Sequence, residues 1–237
     1  MTRAVDIIVI GGGIAGTGVA AILSESAGVV LLEAEDRPGY HSTGRSMAMF
    51  IESCGNETIR ALSRAGKSYF DAPPLEDLKQ DLLSNRGVLF VSHGDAHGMA
   101  ELELLLASGS SVSEISPEDA VARVPILSRA DVHRAVIDES GEDVDVDALH
   151  QAWLKRLRQL NGEIICGAPV TKLSQADGGW DVETEIQKYH TPIIVNAAGA
   201  WAGRSPYCRH LTGLTSLTGR CSVTPLRRGT PSLKPAS

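Results

Sequence analysis

The sequence lacks the clusters that hold metals or redox disulfides. Its four cysteines, Cys54, Cys166, Cys208 and Cys221, form no Cys-x-x-Cys pair. Only Arg3 precedes the first apolar run, so no secretory leader is read there. Scattered thiols without a leader fit a reducing compartment, and a cytoplasmic location is expected. The seven histidines make no ligand set; His93 and His97 lie in a Gly-containing stretch and read as solvated, so no metal is expected. A membrane span is also missing. Residues 7–23 carry no charge, but 17 residues are at the short limit for a span, and the Gly11-Gly12-Gly13 triplet would weaken a helix there. Positive charge is scarce overall: the net charge of -7 argues against nucleic acid as a partner. Acid is absent from the C-terminal tail. Residues 203–237 hold no Asp or Glu, yet carry Arg204, Arg209, Arg220, Arg227, Arg228 and Lys234.

What is present suits one large domain or two small ones: 237 residues, 43% of them hydrophobic. The opening stretch sets the class. Residues 7–10 are an apolar run that enters Gly11, Gly13 and Gly16 in Gly-x-Gly-x-x-Gly spacing. Ile14, Val19, Ala20, Ile22 and Leu23 then fit a helical face, and a second apolar run, residues 29–32, stops at Glu33. This predicts strand, tight turn, helix, strand. Gly11 permits the turn, Gly13 lets a pyrophosphate approach the backbone, and Gly16 lets the helix pack closely. The helix start offers free N–H groups and the positive dipole end to phosphate. Glu33 lies 17 residues after Gly16, where a carboxylate can accept ribose hydroxyls. A dinucleotide site is expected.

Residues 34–46 form a polar loop with a turn at Pro38-Gly39. Its Ser42, Thr43, Gly44, Arg45 and Ser46 suit a second strip along a diphosphate; equally, the loop caps a following helix from Ser46. Further helices are predicted at 57–70 with Asn56 as N-cap, at 96–107, at 117–123 behind Ser116-Pro117, and from Asp145 or Asp147 to Asn161-Gly162. Strands are predicted at 87–91, 134–137, 163–166, 170–173, 180–186 and 193–195, with Asp177-Gly178-Gly179 as a hairpin turn. The last strand runs into the small residues 196–201, where backbone can again approach a ligand. The fold class is therefore α/β, a Rossmann-like βαβ start with part of a mixed sheet.

The fingerprint, Pro38-Gly-Tyr-His-Ser-Thr-Gly-Arg-Ser46, residues 141–150 (Gly-Glu-Asp-Val-Asp-Val-Asp-Ala-Leu-His) and residues 195–201 (Val-Asn-Ala-Ala-Gly-Ala-Trp) together resemble FAD-dependent oxidoreductases of the D-amino acid oxidase family. Within it the pattern is most similar to the D-arginine dehydrogenase group, over about residues 5–202. The resemblance implies an FAD domain, here about residues 1–75 and 140–202, and part of a substrate domain at about 76–139. It implies that Gly11, Gly13, Ile14, Ala15 and Gly16 meet the diphosphate and that Glu33, with Ala34 beside it, holds the adenosine ribose. Ser42, Thr43, Gly44, Arg45, Ser46, Met47, Ala48 and Met49 pass along the diphosphate toward the flavin. Val170 meets the adenine through its backbone, and Ala198 and Gly199 line the cofactor. The implied reaction oxidises the C–N bond of an amino acid or amine, with hydride passing to flavin N5 and the imine then hydrolysing; the electron acceptor, oxygen or a quinone, is left open. No catalytic side chain is assigned. Two other readings use the same residues: a flavin-binding chain without turnover, and an NAD-dependent dehydrogenase built on the same fingerprint.

Two departures from that group stand out. Its His, Thr, Tyr and later Glu, the last receiving a guanidinium, are matched here by Met49, Ile51, Cys54 and Val88. A neutral, apolar substrate is therefore expected near Cys54 and Val88. The second departure is the tail. Residues 203–237 show no apolar period, and the part of the family that follows Trp201 and binds the substrate carboxylate is not read in them. One set of codons for Gly203-Arg204-Ser205-Pro206, GGA CGC AGT CCN, reads Asp-Ala-Val one base over, a family-like continuation. The tail is thus expected to be out of frame, leaving an incomplete enzyme; the alternative is a divergent short protein. Of the single residues, His41 reads as a loop hydrogen-bonder, Cys54 as a buried thiol, Trp201 as either a cofactor neighbour or a core residue, and His150 as surface or core on its helix.

Overall fold

The computed structural model describes residues 1–202 except Glu76, Asp77, Lys79, Gly109 and Ser110. The basic tail, and the out-of-frame expectation placed on it, lie outside the described residues. In chain order the elements are β1 (Thr2–Ala4), β2 (Ile7–Ile10), α1 (Ile14–Leu23), β3 (Val29–Leu32), β4 (Met49–Phe50), α2 (Glu57–Asp71), β5 (Leu83–Asn85), β6 (Val88–Ser92), α3 (Ala96–Leu106), β7 (Val112–Ile115), α4 (Pro117–Arg123), β8 (Arg134–Asp138), β9 (Glu142–Val144), α5 (Val146–Gln159), β10 (Glu163–Ile165), β11 (Val170–Ala176), β12 (Gly179–Thr184), β13 (Lys188–Thr191) and β14 (Ile193–Asn196).

The central sheet is parallel, in the order β10-β3-β2-β14. All eight residues of β2 and β3 are buried. That explains why both strands are unbroken apolar runs: a parallel sheet covered on both faces has no polar side. Ile7, Val9, Val29 and Leu31 face α1 and α5 and pack with Ala20, Ala21, Trp153 and Leu157. Ile8, Ile10, Val30 and Leu32 face the other way, against Val170, Leu173, Val182 and Tyr189 of the sheet β1-β13-β12-β11. Each such side chain, fully buried, contributes about 1.5–3 kcal/mol. Two small antiparallel sheets, β4-β9-β5 and β6-β8-β7, complete the fold. β6-β8-β7 packs its own clusters, one around Leu102, Val112 and Val136 and one around Ala120, Val132 and Ala135.

The caps follow the sequence. Asn56 accepts the Ile59 amide at 3.0 Å, and Ser116 accepts that of Asp119 at 3.0 Å, with Pro117 in the first helical position. Asp145, rather than Asp147, caps α5 through the Ala148 amide at 2.9 Å. At the other end, Asn161 takes the left-handed conformation, with φ 62°. Gly162 is needed for a different reason: a Cβ there would lie 2.1 Å from Leu157 Cδ1. Two expectations change. The predicted strand 180–186 stops at Thr184, because the Thr184 hydroxyl accepts the amides of Ile186 and Gln187 and turns the chain back into β13. Ser46 caps no helix: it is extended, its hydroxyl accepts the Ala48 amide at 2.9 Å, and a strand follows. No helix among the described residues is long and apolar enough to cross a membrane.

Candidate functional site

The C-terminal ends of β2, β3 and β14 open onto a cavity of about 290 Å³. In an open parallel sheet this edge is where ligands bind. The cavity brings together eleven of the residues assigned from sequence: Gly11, Gly13, Ile14, Ala15, Glu33, Ala34, Ser42, Thr43, Val170, Ala198 and Gly199.

The turn is built for close approach. Gly11 has φ +105°, and a Cβ on it would stand 2.5 Å from the Ala197 carbonyl oxygen. Its amide donates to Leu32 O at 2.8 Å, so the turn that leaves β2 is tied to the end of β3. Gly13 is the N-cap of α1 and supplies no side-chain cap, and no acid occupies the first turn. The positive end of the helix therefore faces the cavity without an anion of its own. Thr43 Oγ1 accepts the Ile14 amide at 3.0 Å, which fastens the polar loop to the helix start.

Glu33 stands half-buried at the end of β3 with both oxygens engaged. Oε2 accepts the Gly12 amide at 2.7 Å, and Oε1 accepts the Glu35 amide at 2.9 Å. Each carboxylate oxygen has a further lone pair to offer a hydroxyl. Gly12 sits under this carboxylate: a Cβ on it would be 2.9 Å from Oε2. The remaining wall is apolar, formed by Ile10, Leu32, Ala168, Val170 and Ala197.

The mouth is bounded by the loop after β3. His41 lies 2.7 Å from Glu35 Oε1, and its ring packs on Trp201 with centroids 4.4 Å apart. This contact joins the loop to the turn after β14. Arg45 turns outward over the Tyr40 ring, at 4.6 Å.

Other assigned residues lie outside the cavity wall. Gly16 works from behind, since a Cβ would come within 1.8 Å of Gly11 O; Gly44 does likewise against Gly39 O at 2.6 Å. Arg45, Ser46, Met47, Ala48 and Met49 lead away along the 3-10 turn Thr43–Arg45 into β4, and Ala48 carries φ 26°. Cys54 and Val88 are brought together elsewhere, around Asp138. Val88 pairs with Asp138 across β6 and β8, and Ser53 donates to its Oδ2 at 2.5 Å. Burial pushes the Cys54 thiol up, and Asp138 beside it pushes it further. Burial alone would raise Asp138; hydrogen bonds from Ser140 and Ser53 outweigh it and hold the carboxyl below its ordinary value.

Residues the sequence did not single out also shape the cavity: Gly39, Tyr40, Ala168 and Ala197. Gly12 was visible only as the middle of a triplet, and Gly39 as half of a turn. Nothing local marks Ala168; it arrives because its amide bonds Glu33 O at 2.9 Å. Among the described residues no group of three or more His, Cys, Asp or Glu is placed to hold a metal.

An acid at a strand end, a helix N-terminus with no acid in its first turn and an apolar slot together suit a bound dinucleotide, and the Gly11 and Gly12 positions have no room for a Cβ. FAD fits this set: Glu33 would hold its ribose, the Gly13–Ala15 backbone its diphosphate, and the slot at Val170 its adenine. The comparisons agree. The chain resembles glycine oxidase from Geobacillus kaustophilus, with 18% identity and TM-score 0.72, over 86% of this chain and 57% of that one. It resembles L-proline dehydrogenase from P. horikoshii, with 22% identity and TM-score 0.71, over 90% and 57%. It also resembles FAD-bound L-alpha-glycerophosphate oxidase from Mycoplasma pneumoniae, with 20% identity and TM-score 0.74, over 89% and 57%. The chain thus spans little more than half the length of these proteins. Human mitochondrial dimethylglycine dehydrogenase is 34% identical over 89 residues, 37% of this chain and 10% of that protein. The family model for FAD-dependent oxidoreductases matches residues 6–232, and so runs past Ala202 into the basic tail. The chain belongs to the FAD-dependent oxidoreductase family, with FAD as its cofactor.

Proposed function

We propose that this chain is the cofactor-binding part of an enzyme that oxidises the C–N bond of an amino acid or amine. The observation that carries it is the cavity in which Glu33, the start of α1 and the Ser42–Thr43 loop converge. Similarity to proteins named for glycine, L-proline and dimethylglycine supports an amino acid or amine as substrate, and the likeness to a glycerophosphate oxidase puts hydroxy acids in the test panel. When bound, the flavin supplies the acceptor for a hydride. The chain's own work is to bind and orient: Glu33 anchors the sugar, the glycine turn admits the diphosphate, and Val170, Ala168 and Leu32 line the slot for the adenine.

The division into cofactor parts at about 1–75 and 140–202 and a substrate part at about 76–139 is part of the same proposal. The separate clusters on β6-β8-β7 support it. Kinship with the D-arginine dehydrogenase group remains a proposal, with a neutral, apolar substrate in place of a cation. Met49, Ile51, Cys54 and Val88 offer no charge, and the acid next to Cys54 and Val88, Asp138, is fully buried and turned to Ser53 and Ser140.

An absorbance titration of this chain with FAD tests the cofactor reading, and anaerobic bleaching of an enzyme restored to the family's full length, by a panel of amino acids, amines and hydroxy acids, tests the reaction. Shifted flavin bands and bleaching by a neutral amino acid are expected. Bleaching by a hydroxy acid alone, or by D-arginine as fast as by D-leucine, would overturn the substrate reading.

A further inference from the structure

His150 reaches the cofactor cradle from a helix far away in sequence. It lies on α5 and is 2% exposed. Its Nε2 is 2.9 Å from the Gly12 carbonyl oxygen. A carbonyl only accepts, so Nε2 carries the proton and donates it. The Gly12 peptide is therefore held at both ends: Glu33 Oε2 takes its N–H and His150 takes its C=O. The same ring lies against Gly39, where a Cβ would stand 2.7 Å from Cε1. Gly39 has φ +75°, and its carbonyl accepts the Gly44 amide at 2.8 Å. Gly44 follows Thr43, whose hydroxyl holds the Ile14 amide.

One imidazole thus touches both halves of the cradle, the glycine turn and the Ser-Thr-Gly loop. The geometry points to His150 as a positioning residue that sets FAD affinity by clamping the Gly12 carbonyl against the Pro38-Gly39 turn. This rests on the FAD reading above. A surface histidine would do none of this. A merely space-filling core residue would need no donor, whereas removing this N–H leaves a buried carbonyl unpaired.

The test compares His150→Leu, which fills the space without a donor, with His150→Gln, whose amide N–H can reach Gly12. Hydrogen exchange is followed on cofactor-free protein, and FAD binding by flavin fluorescence and visible circular dichroism. His150→Leu should raise amide exchange in both residues 11–16 and residues 39–44 and weaken FAD binding about tenfold. His150→Gln should restore protection and bring the Kd within about threefold of wild type. If His150→Leu does not fold, His150→Asn replaces it: its shorter amide ends at the Nδ1 position, short of Gly12. Equal exchange and Kd in wild type and His150→Leu, or Gln no better than Leu or Asn, would overturn the clamp. Wild-type protein that takes up no FAD would overturn the cofactor reading and the affinity role with it, a result distinct from unchanged affinity in a binding-competent variant.

Discussion

Gly16 meets Gly11 so closely that a Cβ on Gly16 would stand 1.8 Å from the Gly11 carbonyl oxygen. The third glycine of the fingerprint therefore packs against the turn that the first one makes, and only then against the sheet through Ala197. Gly16→Ala should unseat the turn, cost about 3 kcal/mol or more in line with severe overpacking, and abolish FAD binding. Gly18→Ala is the control. Its Cβ would rest 3.8 Å from Trp153, an ordinary contact, so the helix should gain up to about 1 kcal/mol. Urea melts of both variants decide it; equal stability would remove the packing argument.

Glu33 is expected to be intolerant even of its amide. Both oxygens accept backbone N–H groups, from Gly12 and Glu35. Gln satisfies one and turns an NH2 toward the other. Glu33→Gln should lose about 1–3 kcal/mol of stability and weaken FAD binding at least tenfold. A variant that melts like wild type and binds FAD as tightly would show that the carboxylate holds neither the turn nor the ribose.

Much of this was legible locally. The βαβ start, four helix caps and the strand entering residues 196–201 follow from periodicity and capping residues within one segment. What stayed hidden depends on segments meeting. β4, β5 and β9 have two or three residues each, too few to show a period, and exist because β9 pairs with β4 and β5. Ser46 looks like a helix cap until the next residues are seen to pair with β9. His150 looks like any residue on an amphipathic helix, and Ala168 like any small residue, until folding sets them against Gly12 and Glu33. The strip along residues 44–49, read from residue types as far as Ser46 and from resemblance beyond it, lies wholly outside the cavity wall.

Ala48 links the loop to β4 with φ 26°, a conformation that costs an L-residue about 1–2 kcal/mol. Glycine there removes that strain but adds about 0.5–1 kcal/mol of backbone entropy cost. Ala48→Gly should therefore leave stability unchanged or raise it by up to about 1 kcal/mol. Asn161→Ala at the end of α5, where φ is 62°, should lower it by about 1 kcal/mol. Thermal melts of the two variants should move in these directions; a marked loss in Ala48→Gly would mean that the Ala48 side chain has a packing role.

Asp138 should make stability fall in acid. It is fully buried and accepts from Ser53, from the Ser140 hydroxyl at 2.7 Å and from the Ser140 amide at 3.0 Å. Those bonds outweigh burial and depress its pKa in the folded state. The unfolded chain holds the same group near the ordinary value of about 3.9. A depressed folded value means that the contribution is complete above the unfolded pKa and is lost as pH falls through the folded one. Asp138→Asn keeps the shape but not the charge, so it should cost roughly 1–3 kcal/mol at pH 7. The gap between wild type and variant should then close as pH drops below about 4. Urea midpoints measured from pH 7 down to pH 3 read this directly, because a gap that stayed constant would assign the loss to packing and not to the carboxylate.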